Sequence, residues 1–92
     1  MIVSFVHKGL KRFYETGSKA GIQPRHADKL QRILSNLDVA TRPDDLDLPG
    51  YRLHELEGSR RGDWSITVQA NWRITFRFIG EDVELVNYED YH

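Results

Sequence analysis

Residues 63–90, DWSITVQANWRITFRFIGEDVELVNYED, decide the fold, because apolar and polar side chains alternate along them with a period of two. Trp64, Ile66 and Val68 share one face of a first run, and Trp72, Ile74, Phe76 and Phe78 share one face of a second. Such alternation belongs to antiparallel strands with one buried side. A two-residue turn at Gly80 and Glu81 sets Phe78 opposite Val83 and Phe76 opposite Leu85, apolar against apolar. The same register pairs Arg77 with Glu84, Thr75 with Val86 and Arg73 with Tyr88, and carries Asp90 and His92 onto the face of Arg73 and Arg77. Between the first two runs, a three-residue loop over Gln69, Ala70 and Asn71, with Asn71 left-handed, sets Val68 opposite Trp72 and Ile66 opposite Ile74. Upstream, YRLHEL (51–56) alternates with Leu53 inward and Arg52 and His54 outward. Period-two reasoning therefore gathers His54, Arg73, Arg77, Asp90 and His92 on one open face. Trp64 and Trp72 fall on the other face and read as packing rather than as base-stacking platforms.

Before residue 51 the period changes. IVSFV (2–6) reads as a short strand, and Leu10, Phe13 and Tyr14 have the spacing of a short amphipathic helix ending near Gly17. In GIQPRHADKLQRILSNLDVA (21–40), Pro24 marks a first turn, and Ala27, Leu30, Ile33, Leu34 and Leu37 form one stripe with Arg25, Lys29 and Arg32 off it. TRPDDLDLPG (41–50) is a loop. The predicted architecture is α+β, one domain over residues 1–92: an N-terminal strand, two helices, then a four-strand antiparallel meander with the helices on one face.

Composition supports a self-sufficient core and excludes several chemistries. With 92 residues, 39% of them hydrophobic, the chain can bury a core without metal or disulfide. No cysteine is present, which removes thiol catalysis and cysteine-ligated zinc. The first apolar run is too short for a signal h-region or a membrane span, so a soluble, cytoplasmic protein is expected. Charge comes in blocks: residues 1–37 hold seven Lys/Arg against Glu15 and Asp28, and residues 80–92 hold five acids and no Lys or Arg. Residues 38–57 hold six acids against Arg42 and Arg52, and residues 58–79 hold Arg60, Arg61, Arg73 and Arg77 against Asp63 alone. A basic face of this kind can track a phosphate backbone or simply be solvated.

The open-face set has the parts of a metal-independent ribonuclease. Two histidines exchange protons near neutral pH, arginine stabilises a phosphorane, and a carboxylate orients a histidine. RNA supplies its own 2′-hydroxyl nucleophile, so no protein nucleophile is required. The plainer readings are a cross-strand pair for Arg73 with Asp90 and for Arg77 with Glu84, an ordinary exposed His54, and ordinary His7 and His26. A metal held by His54, Asp90 and His92 lacks an HxxxH or HExxH spacing. No glycine-rich phosphate loop or GxSxG elbow occurs.

The block LHELEGSRRGDWSITVQANWRITFRF (53–78), followed by NYEDYH (87–92), resembles the HigB branch of the RelE-type toxins, also described as plasmid-maintenance killer proteins. Leu56-x-Gly58, Trp64-Ser65-Ile66, Trp72-Arg73-Ile74 with Phe76, and Asp90-Tyr91-His92 carry the resemblance, which spans the chain. It implies ribosome-dependent mRNA cleavage, an mRNA interferase of a type II toxin–antitoxin system, neutralised by a HigA-like helix-turn-helix antitoxin and needing no cofactor. By position it implies that Arg73 binds phosphate, that Asp90, Tyr91 and His92 form the active site, and that His54 is a catalytic histidine. Arg60, Arg61 and Arg77 are expected to contact RNA. Glu57 departs from the resemblance, since a basic residue can occupy that place in relatives.

The expected reaction is 2′-hydroxyl attack giving a 2′,3′-cyclic phosphate and a 5′-hydroxyl, with His92 as base and His54 as acid, labels that can be exchanged. The alternative is a non-catalytic RNA- or antitoxin-binding domain, against which the retained Arg73 and terminal Asp-Tyr-His argue. A DNA-binding role is weaker, since the basic helices lack helix-turn-helix spacing.

Overall fold

Helix α1 (Lys8–Thr16) begins at His7, whose Nδ1 accepts the Leu10 amide at 2.9 Å, and ends at Gly17, where a left-handed φ of 79° returns the N–H to the Phe13 carbonyl. An accepting ring nitrogen requires neutral imidazole, and burial holds the His7 pKa below its ordinary value. In this computed structural model, which describes residues 1–91, α1 crosses the following loop at close range. A Cβ on Gly9 would lie 2.4 Å from the Gly21 carbonyl oxygen, so neither position has room for a side chain. After a 3-10 turn at Pro24–His26, helix α2 (Ala27–Val39) buries the predicted stripe of Ala27, Leu30, Ile33, Leu34 and Leu37. The acidic loop contains a further 3-10 turn, Pro43–Leu46, that anchors through the fully buried Leu46.

Four antiparallel strands follow in the order β1 (His54–Glu55), β2 (Asp63–Gln69), β3 (Trp72–Ile79) and β4 (Asp82–Asp90). The helices cover one sheet face, where Ile66, Val68, Ile74, Phe76, Val83 and Val86 meet Leu10, Leu30, Ile33 and Leu37. Each such side chain contributes roughly 1.5–3 kcal/mol on full burial. The α+β expectation holds, as do the pairings Phe78 with Val83, Arg77 with Glu84 and Ile66 with Ile74.

Several local expectations fail for physical reasons. Residues 2–6 do not form a continuous strand; they touch β4 in parallel through isolated bridges, Ile2 to Val83 and Phe5 to Val86. YRLHEL shrinks to the two residues of β1, because Arg52 at φ 49° breaks the extended chain ahead of it. In the β2–β3 hairpin, Gln69 rather than Val68 opposes Trp72, and Ala70 at φ 50°, not Asn71, is the left-handed residue.

The largest departure lies in β4. The register slips after Arg77, so that Thr75 opposes Asn87, Ile74 opposes Tyr88, Arg73 opposes Glu89 and Trp72 opposes Asp90. Leu85 is the extra residue, with φ 56° and 44% exposure. Its amide is satisfied by Ser4 Oγ at 2.8 Å. A left-handed leucine costs about 1–2 kcal/mol, whereas the slip buries both Val86 and Tyr88, each a gain of roughly that size or more. The unslipped register would instead turn the polar Asn87 and Glu89 toward the helices.

Candidate active site

The slip decides which side chains share the open face. By register, His54, Ser65, Thr75 and Asn87 form one row across the sheet, and Thr67, Arg73 and Glu89 the next. His54 and Arg73 therefore stand roughly 12 Å apart at their backbones by standard strand spacing. Glu89, not Asp90, faces this side. Asp90 opposes Trp72 and raises the Tyr88 pKa from the helix side, where burial is the main cause of that rise. His54 and Asp90 thus lie on opposite faces and do not converge as metal ligands, and among the described residues no group of three or more His, Asp or Glu side chains could hold a metal ion. His92 lies outside the described residues.

Arg60 organises the face. It sits on a 3-10 turn, Gly58–Arg60, that folds over the sheet. Its Nη1 and Nη2 donate to the two carboxylate oxygens of Glu89 at 3.1 and 2.8 Å, Nη1 also donates to Tyr91 Oη at 3.1 Å, and Nε stands 3.6 Å from Asp63. Glu89 takes a second donor, the Thr75 hydroxyl. The Arg60 hydrogen bond is the chief cause holding the Glu89 carboxyl below its usual range, against the opposing effect of burial. Reciprocally, the bond to Glu89 raises the Arg60 pKa further. Beneath this network Ser65 and Thr75 are buried, and Ser65 Oγ alone among buried side-chain polar atoms of the described residues has no hydrogen-bond partner.

The other arginines divide sharply. Arg77 Nε lies 3.5 Å from Asp63, so its ion pair is with Asp63 although Glu84 opposes it in register. Arg73 turns onto the hairpin, its Nη1 donating to the carbonyls of Ala70 at 2.6 Å and Trp72 at 3.0 Å. Among the described residues no carboxylate forms a salt bridge with Arg73. Tyr91 is fastened to the same hairpin, its amide donating to the Asn71 carbonyl at 2.8 Å. Arg61 forms no ion pair among the described residues and lines a shallow cleft with Glu55, Leu56, Glu57 and Gly58. His54 is exposed, with Nδ1 3.4 Å from the Arg52 carbonyl.

Sequence reasoning missed Glu89 and Thr75, and it treated His26 as ordinary. His26 is in fact buried, with Nδ1 bonded to the Tyr88 hydroxyl and Nε2 2.9 Å from Gln69 Oε1. With Trp72 and Tyr88 rings 4.5 Å apart beside it, this pins the end of β4 to the start of α2.

Comparison with known proteins places this geometry in a family. The model for a RelE-like toxin of type II toxin–antitoxin system HigB matches residues 3–92. The chain belongs to this family. Over 92 residues it is 50% identical to Endoribonuclease HigB of Proteus vulgaris, all of each chain being covered. It is 35% identical to Toxin HigB-1 of Vibrio cholerae, covering all of this chain and 98% of that one. Among solved structures, a YoeB/ParE toxin from Agrobacterium tumefaciens superposes with a TM-score of 0.62 at 19% identity, covering 99% of this chain and 96% of that chain. YafQ from E. coli gives 0.58 at 16% identity, covering 98% and 91%. These structures share the fold. A type II HigB-like toxin has a cognate antitoxin, and no helix among the described residues is long and apolar enough to cross a membrane.

Proposed function

We propose that the chain is a cytoplasmic endoribonuclease that cuts mRNA on translating ribosomes and is restrained by a HigA-like helix-turn-helix antitoxin. The observation that carries this reading is Arg73, which lacks an anionic partner among the described residues and stands beside Tyr91 on the face that holds His54. A guanidinium spending one nitrogen on turn carbonyls and none on a carboxylate of the described residues is suited to a phosphate. Membership of the family and 50% identity to an endoribonuclease over the whole chain support the same reaction.

In this mechanism the 2′-oxygen attacks the adjacent phosphorus, and a base removes its proton as the new P–O bond forms. The bond to the 5′-oxygen breaks, and an acid protonates that leaving group. A 2′,3′-cyclic phosphate and a 5′-hydroxyl result. His92 and His54 are the base and acid, in either order; Arg73 neutralises the phosphorane and Tyr91 orients the RNA, while Asp90, which faces away from His54, is assigned to hold His92 and not His54. Arg61, and Arg77 beside its partner Asp63, are assigned to flanking phosphates.

The test is induced expression without antitoxin, followed by mapping of RNA ends. Growth arrest, with cyclic-phosphate ends on ribosome-bound mRNA and little cutting of free RNA, is expected. Normal growth at confirmed soluble expression would replace this reading with the non-catalytic binder.

A further inference from the structure

Arg60 is placed to act on Tyr91 rather than on RNA. A guanidinium carries five N–H groups in a rigid fork, and here each of its nitrogens is committed: Nε to Asp63, Nη2 to Glu89, and Nη1 to both Glu89 and Tyr91 Oη. Glu89 is fixed in turn by the buried Thr75. The turn that carries Arg60 is tied down independently, through the Leu56 amide to the Asp63 carbonyl at 2.8 Å and the Gly62 amide to Glu55 at 3.1 Å. The chain Thr75–Glu89–Arg60–Tyr91 therefore runs from a rigid strand to the phenol oxygen. Because Arg60 donates to that oxygen, the phenol's own hydrogen must point elsewhere. Tyr91 is left as a donor aimed away from the brace.

We propose that Arg60, clamped by Glu89 and Asp63, is a positioning residue that presents the Tyr91 hydroxyl as a hydrogen-bond donor to an oxygen of the scissile phosphate group. This rests on catalysis at the end of β4, as proposed above. It reverses the expectation that Arg60 contacts RNA, because a phosphate would have to displace the Glu89 carboxylate hydrogen-bonded to it and compete with Asp63, 3.6 Å from its Nε. Glu89 serves to hold Arg60, and its carboxylate is not a proton acceptor in the reaction.

Single-turnover cleavage of ribosome-bound mRNA tests this with Arg60→Ala, Glu89→Gln, Tyr91→Phe and the double variant Arg60→Ala/Tyr91→Phe, each checked by thermal melting. Misplacing a reacting group by about 1 Å costs on the order of a hundredfold, so Arg60→Ala is expected to lower kcat by roughly tenfold to a hundredfold with KM near parental. Glu89→Gln lowers it less. In the double variant the losses should fail to multiply, leaving it within about twofold of the worse single variant. Salt provides the second readout. An arginine that meets a phosphate contributes about one unit to the slope of log KM against log salt, and Arg60→Ala is expected to keep the parental slope.

Losses that multiply in the double variant overturn the brace, as does a raised KM with a flattened salt slope, which marks Arg60 as an RNA contact. If Tyr91→Phe cuts at the parental rate, the Tyr91 hydroxyl meets no reacting oxygen and the brace is overturned, while the proposed catalysis falls only if His92→Gln also cuts at that rate. Should Arg60→Ala lose cooperative melting, Arg60→Gln and Glu89→Gln carry the same cycle with Tyr91→Phe.

Discussion

Replacing Leu85 with asparagine tests the feature on which the whole site geometry depends. In the unslipped register Leu85 lies in the core opposite Phe76. Exchanging a buried leucine for a polar side chain there costs about 2–5 kcal/mol for the lost volume, before any charge for the buried amide. In the observed register Leu85 is 44% exposed and left-handed. Asparagine then forfeits about half of a leucine's burial, roughly 1 kcal/mol, and recovers a comparable amount by tolerating φ 56° better than leucine does. The net change should lie within about 1 kcal/mol of zero, or less than about 8 °C in Tm for a domain of this size. Val86→Asn is the control. Val86 is fully buried, so that variant should lose about 3 kcal/mol or more, enough to shift melting by over roughly 12 °C. Circular-dichroism melts of both variants decide the matter. If Leu85→Asn unfolds while Val86→Asn is tolerated, β4 has no bulge at Leu85 and Glu89 does not face Arg60.

Arg73→Ala should reduce kcat by roughly a hundredfold to a thousandfold, as loss of a preorganised phosphate donor does, with an unchanged melt; a parental rate would make Arg73 a turn-capping residue only. Deleting Tyr91 and His92, or changing His92→Gln, should abolish cleavage while leaving the melt nearly parental, since the core lies upstream; a fully toxic truncation would remove the chain end from the mechanism. His7 has a lowered pKa in the fold, so the unfolded chain takes up the proton first and stability should decline as pH falls below about 6.5. His7→Ser, which keeps an N-cap acceptor, should flatten that decline in Tm-against-pH measurements. Glu89 is lowered too, so its contribution is complete above about pH 4.5 and is lost as pH falls through the folded-state pKa; Glu89→Gln should remove that acid limb.

Much of the fold was legible because hydrophobic period is a strong and redundant signal. The α2 stripe from Ala27 to Leu37 and the alternation through Trp64, Ile66, Trp72, Ile74 and Phe76 each repeat a single instruction several times. What escaped was punctuation at single residues. Arg52, Ala70 and Leu85 are left-handed without being glycine or asparagine, so turn chemistry gave no warning at those positions. Tertiary packing selects those conformations.

The Leu85 slip was nevertheless written in VELVNYE (83–89), and it carries the site with it. Counting by two from Val83 places Leu85, Asn87 and Glu89 inward, which asks the core to accept an amide and a carboxylate. Counting Val83, Val86 and Tyr88 inward asks only for one strained residue. At about 1–2 kcal/mol, that strain is smaller than the desolvation of an unpaired buried carboxylate. The residue types of this strand alone therefore favour the bulge. With the bulge in place, Glu89 and Tyr91 turn to the open face and Asp90 leaves it. Arg60 then has a reason to be where it is: the carboxylate that the core would not accept becomes the anchor for the guanidinium that holds Tyr91.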